Sequence, residues 1–136
     1  MTRSNMRASR SFWRTSSLIF VDAIAIGPAG PVNTWLVLDT GAVRTTLVPA
    51  IAESIGYTRG PSNKPTVIRT ATGVERSYLV RLEKLTTLGF MISNLEINVA
   101  DLGHDIDGLL GIDFLWHFNF EVRPAERRII LERYAP

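Results

Sequence analysis

The sequence contains no cysteine, so neither disulfides nor thiolate metal ligation can contribute to its stability or chemistry. That absence fits a reducing compartment, and a cytoplasmic protein is expected. No apolar run approaches the roughly eighteen residues that a membrane-spanning helix needs. Nor is there a large excess of charge of one sign, because 15 basic residues face 13 acidic ones for a net of +2. Even that surplus is local. Arg3, Arg7, Arg10 and Arg14 lie in the first twenty residues, where there is no acid. Without these four, eleven basic residues face 13 acids, a net of −2. The body of the chain therefore has no electrostatic footprint for nucleic acid. No solenoid-type repeat is visible.

A chain of 136 residues with 46% hydrophobic and 21% charged residues suits one globular domain. Residues 1–17 read as a basic, flexible tail and residues 18–136 as the domain. The opening also imitates targeting segments. Leu18–Ile26 after an Arg-rich start resembles a secretory signal, although Asp22 interrupts it and cleavage would remove a needed strand. Arginines spaced four, three and four apart resemble a mitochondrial presequence, so organelle targeting stays an open alternative to a solvated terminus.

The rest of the chain is organised around Trp35–Thr46, WLVLDTGAVRTT. Four apolar residues read as a buried strand, and at its end stand Asp39, Thr40, Gly41 and Ala42. A carboxylate beside a buried strand is costly to keep charged and needs a reason. The glycine permits a sharp turn and close approach by another chain. One acid is thus set at the tip of a rigid element with little bulk over it.

Short strands with near-regular turn signals surround this stretch. Ile19–Ile26, a turn at Gly27–Pro31 and a strand over Asn33–Leu38 form a hairpin that delivers Asp39. Leu47–Gly56 reads as a short helix with Pro49 in its first turn and Gly56 as its stop. Thr66–Thr70 and Val74–Leu85 flank Ala71, Thr72 and Gly73 as a hairpin with a small tip. Leu95, Ile97 and Val99 alternate with polar or small residues in a half-buried strand. A second helix is expected from Asp113, as its N-cap, through Trp116 and Phe118. The alternation at Phe118, Phe120 and Val122, a turn at Pro124–Arg127 and Ile129–Leu131 complete an all-β, barrel-like domain with two short helices.

Asp39-Thr40-Gly41-Ala42 after an apolar strand, with Thr45 and Leu47 following, resembles the active-site loop of retropepsin-like aspartic proteases. About seventy residues on, Asp107-Gly108-Leu109-Leu110-Gly111-Ile112-Asp113-Phe114-Leu115 resembles the strand and short helix that close the fold in single-lobe members. The likeness covers roughly Ile19 to Leu131. It implies a retropepsin-like acid protease barrel with one lobe per chain. It also implies Asp39 as catalytic acid/base, Thr40 as a bond across a dimer axis, a Gly41 carbonyl offered to substrate, and Ala42 keeping the loop uncrowded. Ala71, Thr72 and Gly73 become the tip of a substrate-covering flap, although the residues alone fit an ordinary solvent hairpin equally well. No metal or cofactor is implied.

Aspartic proteolysis needs two carboxylates close together, and one motif per chain supplies only one, so a homodimer acting on extended polypeptide follows from the resemblance. The chain departs from retroviral members at Val43, where they carry an acid, and at Ile112, where they carry a basic residue. It also lacks the Ser or Thr that follows the tetrapeptide in many cellular and bacterial relatives, yet Leu109–Leu115 looks more like that branch. A terminal-strand dimer interface of the retroviral kind is therefore not implied. These departures leave a second reading, a catalytically silent module that dimerises or binds peptide.

Other candidates have plainer meanings. Asp101, His104, Asp105 and Asp107 are dense enough to suggest a cation site, but their spacing matches no ligand motif and reads as a solvated loop. Asp113 reads as a helix cap rather than a second catalytic acid. His117, on an aromatic-rich helix, reads as packed or satisfied rather than catalytic, and Phe114, Trp116, Phe118 and Phe120 as core or dimer interface.

Overall fold

The computed structural model describes residues 7–15, 17–60, 63–70, 73–103 and 105–134. Alternation builds its first hairpin. β3 (Leu18–Gly27) buries Val21, Ala23 and Ala25 and turns Asp22 and Ile24 outward. β4 (Gly30–Leu38) pairs with it antiparallel from Phe20↔Val37 to Gly27↔Gly30. The expectation of a wholly buried strand before Asp39 is corrected at Trp35. Its ring is 50% exposed and lies 6.5 Å from that of Trp13, because it sits on the outer face, opposite the fully buried Leu36.

The strands close on themselves. β5 (Thr46–Leu47), β6 (Pro65–Thr70), β7 (Gly73–Thr87), β8 (Phe90–Val99) and β9 (Gly108–Leu110) join β3 and β4 in one sheet. Its order runs β3-β4-β9-β5-β8-β7, and β7 pairs back onto β3 through Ala23↔Thr87 to Ile26↔Lys84. The β4–β9 and β5–β8 pairings are parallel. From the six-stranded ring Val21, Leu36, Leu47, Leu82, Leu85, Ile97 and Leu110 enter the core, each fully buried, and the equally buried Phe114 joins the same cluster from the second short helix. Each such side chain contributes about 1.5–3 kcal/mol relative to exposure.

A second sheet stands outside the ring in the order β1 (Arg7–Ser11), β11 (Arg128–Arg133), β10 (Phe118–Arg123). β2 (Trp13–Thr15) pairs with the start of β3. Residues 7–11 and 13–15 of the segment expected to be a flexible tail are thus in strands. Phe12, between β1 and β2, is buried and donates its N–H to the Arg127 carbonyl at 3.0 Å. Arg128 reaches Ser9 through Nε to Oγ at 2.8 Å and Nη2 to the carbonyl at 2.9 Å. Backbone pairing and one phenyl ring hold this segment, so its Arg/Ser composition carries no hydrophobic alternation to reveal it.

α1 (Pro49–Ser54) begins with proline in its first turn and ends before Gly56, which adopts φ +99. α2 (Ile112–Leu115) starts before Asp113, with Gly111 at its N-cap and no side-chain cap. It also ends short of Phe118, which already belongs to β10. Phe114 and Phe118 are core, with rings 5.4 Å apart, whereas Trp116 and Phe120 are exposed. His117 is exposed rather than packed, its ring set edgewise to Phe118. Among the described residues, no helix is long and apolar enough to cross a membrane.

Candidate active site

β4 delivers Asp39 to the mouth of the barrel. The Asp39 N–H donates to the Leu110 carbonyl at 2.9 Å, pinning the strand end to β9. The Asp39 carbonyl accepts the Ala42 N–H at 3.1 Å, and its Oδ1 accepts the Gly41 N–H at 3.0 Å. A single tight turn therefore fixes both the backbone and the carboxylate. Asp39 is half-buried, while Thr40 and Gly41 are exposed beside it.

The far side of the loop is tied to α2. The Ala42 carbonyl accepts the Ile112 N–H at 2.8 Å. Thr45 is completely buried, and both of its donors end on Asp113, N–H to Oδ2 at 2.9 Å and Oγ1 to Oδ1 at 2.8 Å. Thr45 Oγ1 in turn accepts the Gly111 N–H at 3.1 Å. The expectation of Asp113 as N-cap is corrected here. Its carboxylate serves the loop that follows Asp39, and within its own helix it accepts only the Phe114 N–H, at 2.9 Å. The crossing is tight enough to exclude side chains. A Cβ on Gly111 would lie 2.7 Å from the Arg44 carbonyl carbon, and one on Gly108 would lie 2.1 Å from the Thr46 carbonyl oxygen.

Asp39, Gly41 and Ala42 line one cleft of about 610 Å³ together with Val43, Arg44, Thr46, Val67, Ile68, Asn98, Leu102 and Leu109. Val67 and Ile68 come from β6, so the β6–β7 hairpin forms one wall. This hairpin pairs up to Thr70↔Gly73. Ala71 and Thr72, the expected flap tip, lie outside the described residues, as does His104. Asn98 is buried at the cleft floor, where its Oδ1 accepts Thr66 Oγ1 at 2.9 Å and Ser77 Oγ at 3.4 Å, and those two hydroxyls also meet. Arg44 Nη2 stands 3.6 Å from Glu96 Oε1 at the rim.

Among the described lining residues only two side chains ionise, Asp39 and Arg44. With neither histidine nor cysteine among the described lining residues, the available acid/base group is a carboxylate. Two aspartates of the Asp101–Asp107 loop have structural partners. Asp101 Oδ1 accepts the Gly103 N–H at 2.9 Å, and Asp107 Oδ2 accepts the Trp35 N–H at 2.8 Å, holding β4. No group of three acid or histidine side chains that could hold a metal ion occurs among the described residues.

Sequence reasoning missed the inward roles of Thr45, Asn98 and Arg44. Asn98 falls on the polar phase of an alternating strand, which suggests solvent. The available clue was the set of small hydroxyl and amide residues, Thr46, Thr66, Ser77 and Asn98, recurring inside strands.

Residues 23–114 match the aspartyl protease family. No curated protein sequence matches the chain. Among solved structures, the fold is similar to a retropepsin-like aspartic protease from Rickettsia conorii, at 22% identity and TM-score 0.71 over 93% of this chain and 92% of that one. It is also similar to EIAV protease in complex with the inhibitor HBY-793, at 23% identity and TM-score 0.56 over 76% of this chain and 90% of that one. The barrel is thus retropepsin-like with a single lobe per chain. With a family match across more than half its length and the Asp39 loop inside that match, the chain belongs to the aspartyl protease family.

Proposed function

We propose that the chain is an aspartic endopeptidase that cuts extended polypeptides as a homodimer, with one Asp39 from each protomer forming the catalytic dyad. The observation that carries this reading is a single carboxylate, fixed by its own turn, at an open cleft with no other acid in its described lining. Amide hydrolysis by carboxylates needs one group to take a proton from water and another to give one to the carbonyl oxygen. Two carboxylates in contact do both, since like charges that close cannot both ionise and the pair holds one proton. Aspartic proteases are the standard example of this arrangement. A chain with one such loop obtains the second acid from another copy across a two-fold axis.

In this mechanism the ionised Asp39 takes a proton from the attacking water while its protonated counterpart donates to the carbonyl oxygen. The tetrahedral intermediate then collapses as a proton passes to the departing nitrogen. Exposed Thr40 joins the two loops across the axis, the Gly41 carbonyl receives a substrate N–H, and small Ala42 leaves room for the peptide. Gly73, which ends the described β6–β7 pairing opposite Thr70, adds main-chain hydrogen bonds to the peptide, a form of strand addition that tolerates varied side chains.

The test is digestion of an unfolded protein across acidic and neutral pH, with solution mass measured in parallel. Asp39→Asn should abolish cleavage and leave the circular dichroism spectrum unchanged. Full activity in that variant, or in a strictly monomeric preparation, would overturn the proposal.

A further inference from the structure

We propose that Arg44 makes this cleft selective for extended peptides that carry an acidic side chain close to the cut, with one such preference on each side. The inference rests on the proposed peptidase reading and specifies its substrate class. Arg44 is the only cation in the described cleft lining, and its side chain is 40% exposed. Its neighbour Glu96 does not satisfy it. At 3.6 Å the contact is an ion pair without a hydrogen bond. The same Glu96 carboxylate is also shared with Arg81 at 3.4 Å, across the β7–β8 pair Arg81↔Glu96. Arg81 has a separate anchor, donating to the Asn94 carbonyl at 2.8 Å, whereas Arg44 faces the cleft with its planar set of donors available to a carboxylate.

The charge balance favours an acidic guest. Arg44, Arg81 and Glu96 sum to +1 in each protomer, so a symmetric pair presents +2 around the cleft. A dyad sharing one proton contributes −1. Arg44 stands five positions after Asp39, a span of at most about 18 Å. An extended peptide advances about 3.3 Å per residue, so the preferred acid falls within about five residues of the scissile bond. The two-fold relation repeats the cation on the other flank. Covering by substrate reduces screening, so the contact should discriminate more strongly than an open surface pair.

The experiment uses fluorogenic peptides identical except for Glu, Gln or Lys at positions flanking the cut. The wild-type protein should cleave the Glu peptides with kcat/KM roughly tenfold above the Gln peptides, mainly through KM, and the ratio should shrink as salt rises. Arg44→Gln should bring the ratio close to one. Glu96→Gln, which removes the competing carboxylate, should raise it. Equal cleavage of Glu and Gln peptides by the wild type, or an unchanged ratio in Arg44→Gln, would overturn the inference while leaving the peptidase reading intact. A parallel measurement needs no turnover, namely anisotropy of the same labelled peptides on the Asp39→Asn protein. If the wild type cleaves nothing, a Glu preference in this assay that disappears on adding Arg44→Gln supports the selectivity and condemns only the hydrolase. No preference there condemns the selectivity itself.

Discussion

Replacing Asp113 with alanine tests whether a carboxylate on α2 holds the Asp39–Thr45 loop in place. The substitution strips the acceptors from two donors of Thr45, a residue with no solvent exposure. A buried donor left without an acceptor costs roughly 1–3 kcal/mol. The two losses overlap because they share one side chain, so the expected total is about 3–4 kcal/mol. With a urea slope of about 2 kcal/mol per molar, the unfolding midpoint should fall by roughly 1.5–2 M at fixed protomer concentration. Asp113→Asn should cost half as much or less, because its carbonyl takes the Thr45 N–H and its amide donates to Thr45 Oγ1. Thr45→Val should cost about 1–2 kcal/mol, chiefly by leaving the Gly111 N–H without its acceptor. Combined with Asp113→Ala it should be less than additive by about 1 kcal/mol or more. An Asp113→Ala cost below about 0.5 kcal/mol, or additivity within that margin, would refute the reasoning.

The backbone crossing under the loop predicts that Gly108→Ala cannot be accommodated, since its Cβ would meet the Thr46 carbonyl oxygen at 2.1 Å. A loss of about 3 kcal/mol or more in thermal or urea unfolding is expected. Tyr57 donates its hydroxyl to the Arg81 carbonyl at 2.7 Å and accepts the Glu83 N–H at 3.1 Å, so Tyr57→Phe should cost about 1 kcal/mol. Burial, with a smaller contribution from the Glu83 charge, raises the Tyr57 pKa above 10.0 despite the opposing backbone hydrogen bond. Stability from this group is therefore full below pH 10.0 and lost as pH rises through the higher folded value. Tyr78 is raised as well, first by burial and then by the Glu53 charge, against the opposing Arg59. The Phe variant should thus flatten the alkaline decline in urea midpoints without abolishing it. Removing residues 1–15 should uncover one edge of β11 and the pocket of Phe12, lowering stability by several kcal/mol and promoting aggregation in light scattering.

The elements that position Asp39 were legible because their physics is local. Alternation exposes β3, β8 and β10, proline and glycine punctuate α1, and an apolar strand ending in Asp-Thr-Gly-Ala marks the turn. Pairings distant in sequence were less accessible. Asp113 has the local features of a helix cap, and only the approach of Thr45, 68 residues earlier, gives its carboxylate a different partner. Asn98 and Ala100 alternate like solvent-facing residues but are buried, Asn98 beneath the Thr66–Ser77 hydroxyl pair and Ala100 where its N–H bonds the Leu47 carbonyl at 3.1 Å. β1 was unreadable for a related reason, since Arg7-Ala8-Ser9-Arg10-Ser11 is held by main-chain bonds to β11 that no side-chain pattern records.

That β1–β11 pairing also sets Arg7 directly opposite Glu132. Antiparallel partners stand only about 5 Å apart, so a linker of a few residues from Glu132 to Arg7 would seal residues 7–132 into a loop. Reopening it at the Pro124–Arg127 turn would give a circular permutant with the same barrel but a different order of synthesis. How this architecture assembles thus becomes separable, by a cut and a splice, from what its cleft does.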